Sequence, residues 1–304
     1  MLRLTGMVAA VFTPMRPDGS LHLDPVGPNV DHLVGEGVGG LFACGSTGEG
    51  PSLSTEERLA TAAAYVEAAA GRLPVVVHVG HTSLAEARTL AAHAQQIGAS
   101  AVAAVAPYYF RPSSVENLVD CLAEITAAAP ELPFYYYHIP GLTGVRLDML
   151  ELLRQAAERL PTLAGIKYTD ATVDEFQTLL DFQDGRFDVL FGRDEMLLSG
   201  LAAGAGGAIG STYNFAAPLY GRLIQAFRRG DLEVARRCQA QSVAMIRVLF
   251  RYGAMPAFKA TMHLIGLDCG PPRLPKIPLT PDELTMLQSD LESIGFFTWA
   301  RPQG

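Results

Sequence analysis

Eight short β-rich runs, each followed by a stretch of helical period, predict an α/β protein of the (β/α)8 TIM-barrel class with a helical C-terminal extension. The runs fall at residues 7–13, 40–44, 75–79, 101–106, 134–139, 163–168, 187–191 and 207–210. Several are almost continuously apolar, as parallel strands covered on both faces must be. Helical spacing follows at 55–70, 83–97, 115–128, 147–160 and 173–182. Strand–helix–strand crossovers share one hand, so eight such units close into a barrel. The competing doubly wound sheet carries a GxGxxG turn after its first strand, where this chain reads Phe12-Thr13-Pro14.

The eighth helix is expected at 216–229, which makes residues 1–229 the catalytic barrel. Residues 230–304 then form the extension packed on it, with helices at 232–252, 256–266 and 281–293 and no strand pattern between them. The connector Gly270-Pro271-Pro272-Arg273-Leu274-Pro275 cannot itself be helical.

With 304 residues, 49% hydrophobic and 18% charged, the chain can bury a sizeable core and is not disordered. A net charge of -8 with scattered arginines leaves no footprint for nucleic acid. No segment approaches the ~20 apolar residues of a membrane span. Cys44, Cys121, Cys238 and Cys269 follow neither CxxC nor zinc spacing and read as reduced structural thiols. The first eleven residues carry one basic residue and no long apolar run, so the cytoplasm is the expected compartment. His78, His81, His93 and His138 lack HExxH spacing, and neither a metal nor any other cofactor is expected.

Barrel enzymes act at the C-terminal ends of their strands, so the polar residues there are the candidates. Strand two runs into Gly45-Ser46-Thr47-Gly48-Glu49, a tight turn whose hydroxyls and backbone N–H groups suit a carboxylate. Strand five ends in Tyr135-Tyr136-Tyr137-His138, and strand six carries Lys167. Strands seven and eight lead to Gly192-Arg193-Asp194-Glu195 and Gly210-Ser211-Thr212-Tyr213-Asn214.

Lys167 stands out because the chain has three lysines and uses arginine for its other strong cations. Desolvating a strand lysine lowers its pKa and frees a lone pair to attack a carbonyl; the structural alternative is an ion pair with Asp170 or Glu195. Lys259 and Lys276 read as a helix face and a Pro-rich loop. Tyr135 and Tyr137 share one face of their strand, and Tyr137, nearer the mouth, is the acid/base candidate. Asp194 and Glu195 fit the first turn of a helix starting near Met196, or the hydroxyls of a polyol.

The motifs GSTGE, YYYHIPGLTGV, GIKYTD, FGRDE, GSTYN and GPPRLP together resemble the N-acetylneuraminate lyase branch of the dihydrodipicolinate synthase and aldolase superfamily along nearly the whole chain. The GSTGE loop and the strand-six lysine belong to every branch and point to pyruvate-type Schiff-base chemistry. The resemblance implies that Ser46 and Thr47 hold the substrate carboxylate, Lys167 forms the iminium and Tyr137 transfers protons. It places Thr169, Gly192, Asp194, Glu195 and Ser211 around sugar hydroxyls. It thus implies reversible cleavage of N-acetylneuraminate to pyruvate and N-acetylmannosamine. Synthases of the superfamily typically carry an arginine shortly after the tyrosine strand, where this chain reads Ile139-Pro140-Gly141-Leu142-Thr143. The Tyr108-Tyr109 pair matches more loosely a position reaching a neighbouring subunit, with Tyr109 the candidate, and the resemblance implies a homotetramer built as a dimer of dimers. The alternatives are a related aldolase or dehydratase for another sugar acid, and a non-catalytic barrel that binds keto acids.

Overall fold

A computed structural model describes residues 2–300. The strands β1 (Gly6–Ala10), β2 (Gly40–Ala43), β3 (Val75–His78), β4 (Ala101–Ala104), β5 (Phe134–His138), β6 (Leu163–Tyr168), β7 (Asp188–Phe191) and β8 (Gly207–Gly210) pair in chain order. All pairings are parallel, and β8 closes on β1 with Gly6 opposite Gly207 and Ala9 opposite Gly210. The expected fold class is the one observed.

Strand alternation divides the interior into two layers. Val8, Ala10, Phe42, Ala103, Tyr135, Tyr137, Leu190 and Ile209 point inward and fill the barrel. Their neighbours Ala9, Leu41, Val77, Tyr136, Ile166 and Val189 point outward onto the helices. The floor is polar: Tyr135 Oη donates to Asp188 Oδ2 at 2.9 Å, and the Leu4 N–H donates to the same oxygen at 2.9 Å. These two donors satisfy a buried carboxylate whose pKa burial nonetheless raises.

The covering helices are α1 (Val26–Gly35), α2 (Thr55–Ala69), α3 (Leu84–Gln96), α4 (Val115–Thr126), the short α5 (Pro140–Thr143), α6 (Met149–Arg159), α7 (Val173–Asp181), α8 (Leu197–Ala202) and α9 (Tyr213–Arg228). Most strands end one to three residues earlier than the apolar runs suggested, because the last apolar residues already belong to the mouth loops. The eighth helix begins at Tyr213, ahead of the expected residue 216, and kinks at Ala216, two residues before Pro218. A proline there removes one helix donor and crowds the preceding turn.

The extension contains α10 (Leu232–Arg251), α11 (Met255–Leu264), α12 (Pro281–Ser293) and α13 (Phe296–Trp299). It reaches the barrel mouth through charged side chains. Lys259, expected on a helix face, is 1% exposed and sits 2.8 Å from Glu49 Oε1 of the GSTGE turn. Its ammonium also donates to the carbonyls of Thr13 and Pro271, each at 2.9 Å. Arg273 of the Pro-rich connector pairs with Glu57 through both nitrogens, at 2.6 and 2.7 Å, and its backbone N–H donates to Glu49 Oε2 at 2.8 Å. Glu57 is also the reciprocal acceptor of the α2 capping box with Ser54. One carboxylate therefore fixes both the start of α2 and the connector.

Removing one member of a buried pair leaves the other charge desolvated. Lys259→Met is expected to lower the unfolding free energy by about 3–5 kcal/mol. The double variant Glu49→Gln with Lys259→Met should recover much of that loss, because a neutral amide in place of the carboxylate still accepts from the Arg273 N–H. Urea denaturation of the three proteins decides it, and an unchanged midpoint for Lys259→Met would contradict the pairing.

Candidate active site

The loops after β2, β5, β6, β7 and β8 meet at one mouth of the barrel, where β5 and β6 lie in register with Tyr137 opposite Lys167. The three tyrosines of β5 divide by pleat. Tyr135 closes the floor, Tyr136 packs outward, and Tyr137 remains inside the mouth.

Lys167 is buried, and its ammonium nitrogen lies 3.8 Å from the Phe42 ring centroid and 4.0 Å from that of Tyr137. The two carboxylates that offered it a structural ion pair are engaged elsewhere, Asp170 with Arg146 at 3.6 Å and Glu195 with Arg193 at 2.6 Å. Ring faces favour the protonated amine, as does the charge of Asp194. Burial outweighs both and lowers the Lys167 pKa to about 7. Near neutral pH a large fraction of the amine is therefore uncharged and nucleophilic.

Burial pushes the Tyr137 phenol up to about 12, while the hydroxyls of Ser46 and Thr169 beside it act in the opposite direction. The phenol is thus a proton donor at rest. Thr169 Oγ1 is buried beside that phenol. The Cβ of any side chain at Gly192 would lie 2.0 Å from Thr169 Oγ1, which explains a glycine at that position.

Ser46 and Thr47 occupy a turn flanked by the left-handed residues Cys44 and Glu49, with φ of 59° and 54°. Thr13 Oγ1 donates to the Gly48 carbonyl at 2.7 Å and anchors the turn to the loop after β1. Across the mouth, the Thr47 and Ser211 hydroxyls are 2.6 Å apart, joining the turn to the loop after β8. Asp194 begins a single 3-10 turn, Asp194–Met196, ahead of α8. It does not cap that helix; its Oδ2 accepts from the backbone and side chain of Thr212, at 2.8 and 2.6 Å. The space it fills lies over Gly210, whose added Cβ would meet Asp194 Oδ1 at 1.8 Å. Burial raises the Asp194 pKa to about 6, opposed by the Thr212 bonds.

The structure therefore gathers Ser46, Thr47, Tyr137, Lys167, Thr169, Gly192, Asp194 and Ser211. Glu195 lies in the same loop with its carboxylate turned onto Arg193. Tyr109 stands apart on the β4–α4 loop, 77% exposed and packed edge-on against Phe110. Among the described residues no group of three or more His, Cys, Asp or Glu side chains is placed to hold a metal, and no helix is long and apolar enough to cross a membrane.

Sequence reasoning missed the support beneath these groups. Phe42 supplies a ring face to Lys167 and an edge-to-face contact with Tyr137 at 5.5 Å between centroids. His78 packs edge-on against Tyr137 at 5.8 Å, and its Nδ1 lies 3.2 Å from the Cys44 carbonyl that precedes the GSTGE turn. The buried Arg58 donates to the carbonyls of His78 and Gly80, at 2.6 and 2.9 Å. Period-two alternation could have found Phe42 and His78, since both sit inside strand runs. Arg58 carried no sequence signal.

The model of the dihydrodipicolinate synthetase family matches residues 3–294. The N-acetylneuraminate lyase of Xenopus tropicalis is 44% identical over 277 residues, which cover 90% of each chain. A solved structure of the Proteus mirabilis N-acetylneuraminate lyase superposes with a TM-score of 0.95 at 39% identity, covering 97% of this chain and 100% of that one. A Bacillus anthracis dihydrodipicolinate synthase structure superposes at 0.90 with 28% identity, covering 96% and 99%. With the barrel, the mouth lysine and these matches in hand, the chain belongs to the dihydrodipicolinate synthetase family.

Proposed function

We propose that the chain is an N-acetylneuraminate lyase, a carbon–carbon lyase that works through a Schiff base on Lys167. The observation that carries this reading is the amine of Lys167, buried and of lowered pKa, beside the Tyr137 phenol and flanked by a hydroxyl-lined turn and the Asp194 loop. Relatives that carry the lyase name favour the sialic acid as substrate. Leu142, 67% exposed, stands in α5, within the segment where the synthases place their arginine, and offers no partner to a second carboxylate.

In the proposed reaction, the open-chain keto acid sets its carboxylate on Ser46 and Thr47. The neutral Lys167 amine adds to the C2 carbonyl, and loss of water leaves an iminium. That positive charge favours ionisation of the Tyr137 phenol, whose proton departs with the released water, and the phenolate left behind takes the C4 hydroxyl proton. The C3–C4 bond breaks, its electrons pass into the iminium, and N-acetylmannosamine leaves as the aldehyde. Protonation of the enamine at C3 and hydrolysis release pyruvate and restore Lys167. Thr169, Asp194, Glu195 and Ser211 hold the sugar hydroxyls, and Gly192 leaves room for them. Orientation and charge stabilisation carry the remaining catalysis.

We assign the enzyme to the cytoplasm as a homotetramer. The free cysteines, three of them buried, suit a reducing compartment. Exposed Tyr109 and Phe110, 77% and 87% accessible, supply an apolar patch for a subunit contact.

The test is release of pyruvate from N-acetylneuraminate, with mass mapping of the peptide reduced by cyanoborohydride in the presence of pyruvate. Release together with an adduct on Lys167 is expected, and Lys167→Ala should lose both. An adduct without release would move the substrate to another sugar acid; no adduct would remove the mechanism. Tyr137→Phe should still form the reducible adduct but lose about 100-fold or more in kcat. Full turnover in that variant would assign the proton transfer to another group.

A further inference from the structure

Asp194 is held by a chain of buried hydroxyls that runs away from the substrate into the extension. Thr212 Oγ1, which contacts the carboxylate, lies 2.6 Å from Tyr220 Oη of α9. Tyr220 Oη lies 2.8 Å from Ser242 Oγ of α10, and Thr212, Tyr220 and Ser242 are all buried. Ser242 Oγ also approaches the Asp194 backbone carbonyl at 3.3 Å, so the chain returns to the residue where it starts. Gln239 of α10 donates to that same carbonyl at 3.3 Å and accepts from the Leu198 N–H at 2.7 Å.

Counting protons gives the chain a direction. An ionised carboxylate only accepts, so Thr212 donates its one hydroxyl proton to Asp194. Thr212 Oγ1 must then accept from Tyr220, whose single proton is thereby used. Tyr220 Oη in turn accepts from Ser242, at a shorter distance than the Asp194 carbonyl offers. Every proton points toward Asp194, and hydrogen bonds in series polarise one another. Asp194 Oδ2 is occupied by Thr212, which leaves Oδ1 for a ligand.

We infer that Tyr220 and Ser242 are positioning residues for the sugar half of the substrate, orienting the Asp194 carboxylate through Thr212 while leaving the pyruvate half untouched. This rests on the assignment of Asp194 to sugar hydroxyls. It gives the extension a part in specificity: α10 contributes to recognition without facing the ligand.

The test runs the reaction as condensation, with separate KM values for pyruvate and for the aldehyde, over N-acetylmannosamine and unacetylated hexoses and pentoses. In Tyr220→Phe the aldehyde KM is expected to rise about five-fold, the scale of one hydrogen bond. The pyruvate KM and the rate of adduct formation on Lys167 should stay within about two-fold. Ser242→Ala should act in the same direction, and the double variant should show less than the sum, because loss of the Tyr220 hydroxyl already removes the acceptor for Ser242. If Tyr220→Phe does not fold, Ser242→Ala carries the same comparison. An unmoved aldehyde KM, or equal rises for both substrates, would overturn the inference. A parent enzyme that takes only another aldehyde would refute the substrate assignment, and the positioning role would then be read on that aldehyde. A parent that condenses none of them would overturn both.

Discussion

The burial of one amine governs the design of the mouth. Lowering Lys167 from 10.5 to about 7 disfavours its ammonium by on the order of 5 kcal/mol. The barrel can sustain that because the amine is buried away from water and the carboxylates of Asp170 and Glu195 are paired elsewhere. A close carboxylate would stabilise the ammonium and remove the nucleophile. Asp194 does act on the lysine, but its own pKa is raised and its Oδ2 is taken up by two bonds from Thr212, so it tempers the shift without reversing it.

A second constraint follows from placing reactive groups on loops. Strand ends fix Tyr137 and Lys167 in register, whereas Ser46, Thr47 and Asp194 lie on turns that need outside support. The extension supplies it at two points. Lys259 and Arg273 tie down the turn after β2 through Glu49 and Glu57, and Gln239 ties down the turn after β7 by donating to the Asp194 carbonyl and accepting from the Leu198 N–H. The Thr47–Ser211 contact then joins the loops after β2 and β8 directly. Residues far apart in sequence thus set the width of one cavity.

The barrel was legible because parallel strands buried on both faces leave apolar runs that no other element between helices produces. Helix α1, with Gly27, Pro28 and Gly35 in its span, has weak intrinsic propensity and went unseen; packing forms it. Lys167 was legible by rarity. The same rarity applied to Lys259, and a helical position hid it, since periodicity reports a face but not which neighbour covers that face. The chain from Asp194 to Ser242 was not legible at all: threonine, tyrosine and serine are common residues, and only the fold brings them into series. Glu195 shows the reverse, because its motif is clear in the sequence while its carboxylate in the structure turns to Arg193.

The central claim is that desolvation, and not a partner charge, makes Lys167 reactive near neutral pH. The most direct measurement is the pH dependence of cyanoborohydride-trapped adduct formation between Lys167 and pyruvate. A neutral amine is required, so the initial trapping rate, corrected for the reductant's own pH dependence, should rise with pH and level off with a midpoint near 7. A midpoint near the ordinary lysine value, about 10.4, would mean that the amine is not desolvated in the free enzyme and would contradict the account.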